Sequence, residues 1–513
     1  MLSSIGETMN YAVVFRRVAT LATTGLLLAQ PAFADERKDE AFRIIDRNAD
    51  TVAQIGDAIY SYAELGMQEV KSTQLLKDTL EAAGFSVEMG GAGMPTNLWA
   101  KWGSGKPVIA ISTEIDALPE GSQTPGSIPR KPVVPGAPGH MEGHNTHGGV
   151  ATAAAFAVKK IMERDKLPGT LIISFGPAEE QLISRPFLVR AGYFKDVDAA
   201  FILHIGDNLS TGYGLQNYAA ISAKFTFHGK TAHGANNPWD GRDAVDAVEL
   251  MDIGFDKLRE HMRPTYRAHR TITMGGIQPN IIADVGQIWW YVRDANAPAA
   301  KENFDRLVNV GKGAAMMTGT TMDPPEFVAS AWPQLGNKVL SEQIRKNMEM
   351  VGLPTWTAEE VAFAKELQKA NNKPEVGLAT ALPTVAARPQ GTASNDNGDV
   401  TWVVPTGMMN FPASVPGIGY HAWPAAITPT STMAHKGMVT GAKVLAASLL
   451  DAMTSPALLQ NARKEFADAT KDSPYFSLLP ADAKPPVDMN RATMDQFGPA
   501  LSKTYLSVSP RFR

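Results

Sequence analysis

The sequence predicts an α/β fold: a mixed sheet with helices on both faces, interrupted by a smaller α+β unit. Three observations predict it. Val108-Ile109-Ala110-Ile111 and Leu171-Ile172-Ile173-Ser174-Phe175 read as buried strands, and they flank an alanine-rich helical stretch from Val150 to Arg164. Near Ala219 the pattern changes, and Ile221 to His228 alternates apolar and polar residues like a half-buried strand. Helical periodicity returns at 357–371 and from Ala434 to Asp451, so the first unit resumes after the second.

Taken in order, Arg16 and Arg17 precede an apolar run from Val18 to Ala29, and Ala32-Phe33-Ala34 fits a small-x-small cleavage site. The run is shorter than the ~20 residues a spanning helix needs. The expectation is a cleaved leader over 1–34, a mature chain from Asp35, a periplasmic or secreted location and no membrane span after cleavage. Residues 35–218 form the first part of the main unit. Within them 38–84 carry helical spacing through Phe42, Ile45, Val52, Ile55, Ile59, Leu65, Leu75, Leu76 and Leu80. Residues 219–332 form the inserted unit, with a helix from Asp243 to Met262 and strands at Thr271 to Met274 and Gln287 to Val292. Residues 333–453 complete the main unit, with Thr401-Trp402-Val403-Val404 as a further strand. From 454 to 513 a tail rich in Pro, Asp and Lys is expected to wrap the surface.

Composition narrows the function classes. At 513 residues the chain exceeds a single core of ~150–200 residues. It is 44% hydrophobic and 19% charged, as globular chains are. A net charge of −4 offers no basic field, so nucleic acid is not an expected partner. The absence of cysteine excludes disulfides, thiolate ligands and a cysteine nucleophile.

The chemistry gathers at Pro138-Gly139-His140-Met141-Glu142-Gly143-His144-Asn145-Thr146-His147-Gly148-Gly149, which holds three of the ten histidines and a carboxylate in one loop before a helix. Imidazole and carboxylate together suit zinc, manganese or cobalt. Taken alone, the loop also fits a polar glycine-rich turn with incidental histidines. Asp116, in Asp116-Ala117-Leu118-Pro119, follows the first buried strand and suits the orientation of a ligand imidazole. Glu179-Glu180 follow the second strand, where two adjacent carboxylates stay ionised most readily beside a cation. One then binds metal while its neighbour moves protons. His204 lies in an apolar strand, His233 in Gly229-Lys230-Thr231-Ala232-His233, Asn280 in Gly275-Gly276-Ile277-Gln278-Pro279-Asn280, and His435 in Ala434-His435-Lys436-Gly437. Each is ambiguous alone.

The order of these motifs resembles the co-catalytic metallopeptidase family of aminoacylases, glutamate carboxypeptidase and succinyl-diaminopimelate desuccinylase. It is most similar to the amidohydrolase branch, which includes the auxin-conjugate and aminobenzoyl-glutamate hydrolases. The similarity spans roughly 40–480 and extends to Pro238-Trp239-Asp240-Gly241-Arg242, Trp290-Tyr291-Val292-Arg293 and Gly398 to Thr406. The resemblance implies a metallopeptidase catalytic domain interrupted by a dimerisation or lid domain, with two divalent metal ions per subunit, zinc or manganese. It implies Glu142, His144, Glu180, His204 and His435 as metal ligands, Glu179 as general base and acid, and Asp116 as orienter of an imidazole. It further implies His233 as an oxyanion donor acting across a homodimer or higher homo-oligomer, and Asn280 as a substrate contact. The implied reaction is hydrolysis of the amide of an N-acyl or N-aroyl amino acid or small dipeptide. Glu142 departs from the branch, which usually carries a bridging cysteine there. The other reading is a periplasmic binding protein on a catalytically degenerate form of this fold. Trp239, Trp402 and Trp423 are candidates to line an acyl pocket.

Overall fold

The computed structural model describes residues 36–387 and 389–513. The expected leader at 1–34 therefore lies outside the described residues. The central sheet has seven strands, in the spatial order Ser86–Met89, Leu98–Ser104, Gly169–Phe175, Val108–Thr113, Ala199–Gly206, Thr406–Pro412 and Ser210–Thr211. The four strands starting at 169, 108, 199 and 406 run parallel, and antiparallel pairs occupy both edges. All seven residues of Gly169–Phe175 are buried, as a parallel strand covered on both faces must be.

Residues 36–47, Ala49–Tyr62, Asn145–Asp165 and Thr432–Thr454 are helical and pack into one core with this sheet. Alanine dominates Asn145–Asp165 because the helix is buried nearly all round, and small side chains let neighbours approach. Among the described residues no single helix is long and apolar enough to cross a membrane.

The inserted unit pairs Ala219–His228 with Val285–Asp294 and Glu326–Ala331, and Val285–Asp294 with Arg267–Gly275. Helices Ala244–Lys257 and Ala297–Thr318 cover one face. Alternate residues Ile288, Trp290 and Val292 turn into that core, so Trp289, Tyr291 and Arg293 turn the other way. The Tyr291 hydroxyl donates to the Gln181 carbonyl at 3.2 Å, tying this face to the Glu179-Glu180 turn.

Two sequence expectations need correction. Thr401 to Val404 is not a strand: a short helix Gly398–Thr401 ends there, and the strand begins at Thr406. Pro405 cannot donate to a sheet ladder, and the buried Asp399 holds the preceding turn through the Trp332 amide at 2.9 Å and the Tyr475 hydroxyl at 2.7 Å. The tail is also more than a wrapping. It forms helices Pro456–Thr470 and Arg491–Leu501, buries Leu478, Leu479 and Leu501, and stacks Phe512 on Phe156 at 5.0 Å.

Candidate metal centre

The chemistry-bearing residues meet at the carboxyl ends of the parallel strands, where ligands of open α/β sheets bind. Val108–Thr113 leads to Asp116, Gly169–Phe175 leads to Glu179 and Glu180, and Ala199–Gly206 carries His204. The loop before Asn145–Asp165 supplies Glu142 and His144. Gly143 between them has φ +80°, and a Cβ there would come within 2.5 Å of Ile205 Cδ1, so glycine is required. Ala178 holds a left-handed conformation at φ 56°, which turns the chain sharply before Glu179.

Five side chains converge. Glu142 reaches His204 Nε2 through Oε1 at 3.3 Å and His421 Nε2 through Oε2 at 2.5 Å. His144 Nε2 and His204 Nε2 face each other at 3.3 Å. Glu180 Oε2 lies 3.1 Å from His421 Nε2. The donor atoms of Glu142, Glu180 and His421 all lie within 4.8 Å of one another, and those of Glu114, His144 and His204 do likewise. Asp116 joins the groups from behind. Its Oδ1 is 3.3 Å from His144 Nδ1, and its Oδ2 accepts the Glu180 amide at 3.0 Å. His204 Nδ1 faces the Ile205 carbonyl at 2.8 Å, so with one proton kept on Nδ1 the ring would offer Nε2 to a cation once the proton that Nε2 shares with Glu142 is lost.

This donor set fits divalent cations. Two imidazole nitrogens at 3.3 Å cannot both serve one another well, and the buried Glu180 Oε1, 3.8 Å from His144 Nδ1, makes no hydrogen bond among the described residues. Burial opposes charge on His144, yet Asp116, Glu180 and Glu142 hold it well above the ordinary imidazole range. Hydrogen bonds to Glu142 and Glu180 push His421 up to about 10. Negative charge is in excess here, as a cation-binding pocket requires.

His421, not His435, completes the cluster. His435 sits on the first turn of Thr432–Thr454 and pairs with Asp57 Oδ1 at 2.8 Å on another helix, so it is not brought to the other ligands. His421 is on an irregular loop with φ 59°, where no periodicity marks it. The neighbouring His140 faces the Ile59 carbonyl, and His147 Nε2 accepts the Ile205 amide, so neither turns to the cluster. His421→Ala should lower bound metal per subunit, whereas His435→Ala should leave it unchanged; elemental analysis of both proteins checks this.

Glu179 is buried and its carboxylate makes no hydrogen bond among the described residues. Burial, and then the charges of Glu114 and Asp396, raise its proton affinity well above that of an ordinary carboxyl. It lines a cavity of about 390 Å³ with Glu142, Glu180, His421, Arg293, His269 and Asn395. Beneath it lies a network that sequence reading missed. The fully buried Arg185 donates to Glu114 at 2.8 Å, to Asp396 at 3.1 Å and to the Thr113 carbonyl, joining two strand ends to the 394–399 turn. An arginine in the apolar run Ser184–Arg190 was the available signal, because a buried guanidinium needs carboxylate partners.

His233 and Asn280 lie elsewhere. They adjoin on the exposed side of the inserted unit, where the Gly234 amide donates to the Asn280 carbonyl at 2.9 Å. His233 Nδ1 accepts the Ala235 and Asn236 amides, so Nε2 carries the proton and points free. Neither residue lines the cavity at Glu179. Nor do the tryptophans: Trp239 is exposed, Trp402 packs on Trp332 at 4.6 Å, and Trp423 sits under Arg130.

Residues 110–323 match the model of peptidase family M20/M25/M40. The chain is 34% identical over 477 residues to one of the subunits of p-aminobenzoyl-glutamate hydrolase from Escherichia coli K12, covering 87% of this chain and 99% of that protein. It is 28% identical to the mouse Xaa-Arg dipeptidase, over 84% of this chain and 92% of the relative. The solved aminobenzoyl-glutamate utilization protein of Klebsiella pneumoniae superposes with a TM-score of 0.54 at 17% identity, covering 79% of this chain and 97% of the other.

Proposed function

The chain belongs to peptidase family M20/M25/M40 and is a hydrolase of amide bonds, and from that premise we propose the following assignment of its centre. Glu142, His144 and His204 would hold one divalent cation, and Glu142, Glu180 and His421 would hold a second. One observation carries this reading: Glu142 presents one oxygen to His204 and the other to His421. The all-oxygen-and-nitrogen donor set favours zinc or manganese. When bound there, such cations would supply Lewis-acid polarisation of the amide carbonyl and of water.

Glu179 takes a proton from the attacking water and returns it to the leaving amine nitrogen. Its carboxylate makes no hydrogen bond among the described residues and sits on the cavity wall beside Glu142 and Glu180. Asp116 fixes the His144 tautomer by accepting from Nδ1. Arg293 receives the free carboxylate of the substrate: it lines the same cavity, and its buried Nε makes no hydrogen bond among the described residues. The substrates are N-acyl or N-aroyl amino acids or small dipeptides, in keeping with relatives named for p-aminobenzoyl-glutamate and for Xaa-Arg dipeptides. Turnover of an N-acyl amino acid, with its carboxamide analogue poorly used, tests the assignment; equal use of both would remove Arg293 from it.

The same reading makes the protein a homodimer in which His233 of one copy donates to the oxyanion in the other, with Asn280 holding substrate. Support comes from the exposed edge strand Arg267–Gly275 and from Ile277, 95% exposed, beside Asn280. His233→Ala should cost about a hundredfold or more in turnover, the usual worth of an oxyanion donor. Mixing it with Glu179→Gln protein should restore activity through hybrid dimers. No recovery after verified subunit exchange would end the cross-subunit assignment.

Export to the periplasm belongs to the proposal on the strength of the leader-like run at 16–34. N-terminal sequencing of exported protein should begin at Asp35, and retention of the leader in the cytoplasm would overturn it.

A further inference from the structure

Ser394 and Asn395 stand between two cavities. On one side is the cavity of about 390 Å³ that holds Glu179 and Arg293. On the other is a second cavity of about 220 Å³, and Glu142, Ala393, Ser394 and Asn395 line both. His204 lines only the second, so the two meet at the candidate metal centre. A substrate whose carboxylate rests on Arg293 fills the first cavity with its amino-acid half. Its acyl half then enters the second.

The second cavity is lined chiefly by amides. Five of its side chains are carboxamides: Gln216, Asn217, Gln334, Asn395 and Asn410. Glu142 and His204, both assigned above to the metal centre, are the only ionisable groups on its wall among the described residues. Part of the set is joined. The Gln334 amide donates to Asn217 Oδ1 at 2.6 Å, Asn217 Nδ2 to Gln334 Oε1 at 3.1 Å, and Gln334 Nε2 to Asn395 Oδ1 at 3.3 Å. Asn395 Oδ1 also accepts the Asn397 amide at 2.9 Å, which leaves Nδ2 as its open donor. Gln216 Nε2 donates to the Gly212 carbonyl at 3.2 Å, which leaves Oε1 as an open acceptor. Asn410 lies beside His204 in strand register, and its side chain makes no hydrogen bond among the described residues. Ser394 Oγ is buried and likewise makes none.

The cavity thus presents open donors and open acceptors together, with no basic residue on its wall to hold an anion. An alkyl group there leaves these polar atoms unpaired. A carboxylate has no donor for the open acceptors and meets the charge of Glu142. A carboxamide matches both kinds of atom. We propose that this cavity is the acyl subsite and that it selects acyl groups ending in a carboxamide over alkyl or carboxylate groups of the same shape. Ile202 and Met408, on the same wall, receive the methylenes of such a chain. This rests on the amidohydrolase reading of the neighbouring cavity and narrows its acyl half.

The test uses three alanine amides whose acyl groups share one shape: N-succinamoyl-alanine, N-succinyl-alanine and N-isocaproyl-alanine, each with the metal-loaded protein. The kcat/KM for the succinamoyl amide should exceed that for each of the others by about ten- to a hundredfold, the usual cost of leaving buried polar groups unpaired. Asn410→Leu and Gln216→Leu, made separately, should remove most of that preference, mainly through KM, and should improve use of the isocaproyl amide. Equal use of the three amides, or an alkyl preference, overturns the proposal. So does a succinamoyl preference that both variants leave intact, because the selecting groups would then lie elsewhere. If no amide is hydrolysed, the amidohydrolase reading fails on its own. Calorimetry with the acids succinamate and isocaproate still decides the subsite: tighter succinamate binding that weakens in Asn410→Leu supports it, and indifference overturns it.

Discussion

Glu179→Gln should retain its metal and lose roughly two to four decades of turnover, the usual worth of acid–base catalysis by one positioned group. Glutamine preserves the shape of the side chain and removes its ability to accept a proton. Two features make the effect large. Glu179 is 6% exposed and its carboxylate makes no hydrogen bond among the described residues, so it is not tied up by another group. Burial and the nearby Glu114 and Asp396 raise its proton affinity, which suits a base that must later act as an acid. Elemental analysis separates this outcome from loss of the centre, and near-normal turnover would move the proton-transfer role to another residue.

Glu142→Ala should lower bound metal and activity together, by at least about a hundredfold in turnover, since even outer partners of metal ligands are worth ten- to a hundredfold. The reason is electrostatic as well as geometric. Under the proposed assignment Glu142 would be shared by two dications, and a shared carboxylate would offset their repulsion. Glu142 is held ionised despite its burial, because His204 and His421 hydrogen-bond to it and draw its pKa well below the usual carboxylate range. Glu142→Asp should keep part of both properties, as oxygen ligation survives with a shorter reach. Glu142→Cys should shift the metal preference toward softer ions. Unchanged metal per subunit in Glu142→Ala would end the bridging assignment.

Most of the scaffold was legible because strands buried on both faces spell continuous apolar runs, as in Val108 to Ile111 and Leu171 to Phe175. Each of those runs pointed directly at the acid that follows it, Asp116 or Glu179-Glu180. Glu142 and His144 were legible because one short loop supplied both, two positions apart. His421 was not, because it is on an irregular loop, and its proximity to Glu142 is created by a fold that joins residues 279 positions apart. His435 took that role in the sequence through the resemblance carried by Ala434-His435-Lys436-Gly437, yet its side chain turns to Asp57. The Arg185 network escaped notice for a related reason: Glu114, Arg185 and Asp396 come from three separate segments and meet only under the sheet end. The strand expected at Thr401 failed because an apolar run before a proline does not reveal whether a buried aspartate will hold it as a turn.

The most direct measurement is a metal titration of chelator-treated protein, with bound metal per subunit and hydrolysis of an N-acyl amino acid followed on the same samples. The account predicts no turnover in the metal-free protein, recovery with zinc or manganese, and full activity only as the second equivalent binds. Turnover by metal-free protein at the rate of the reloaded enzyme would contradict it.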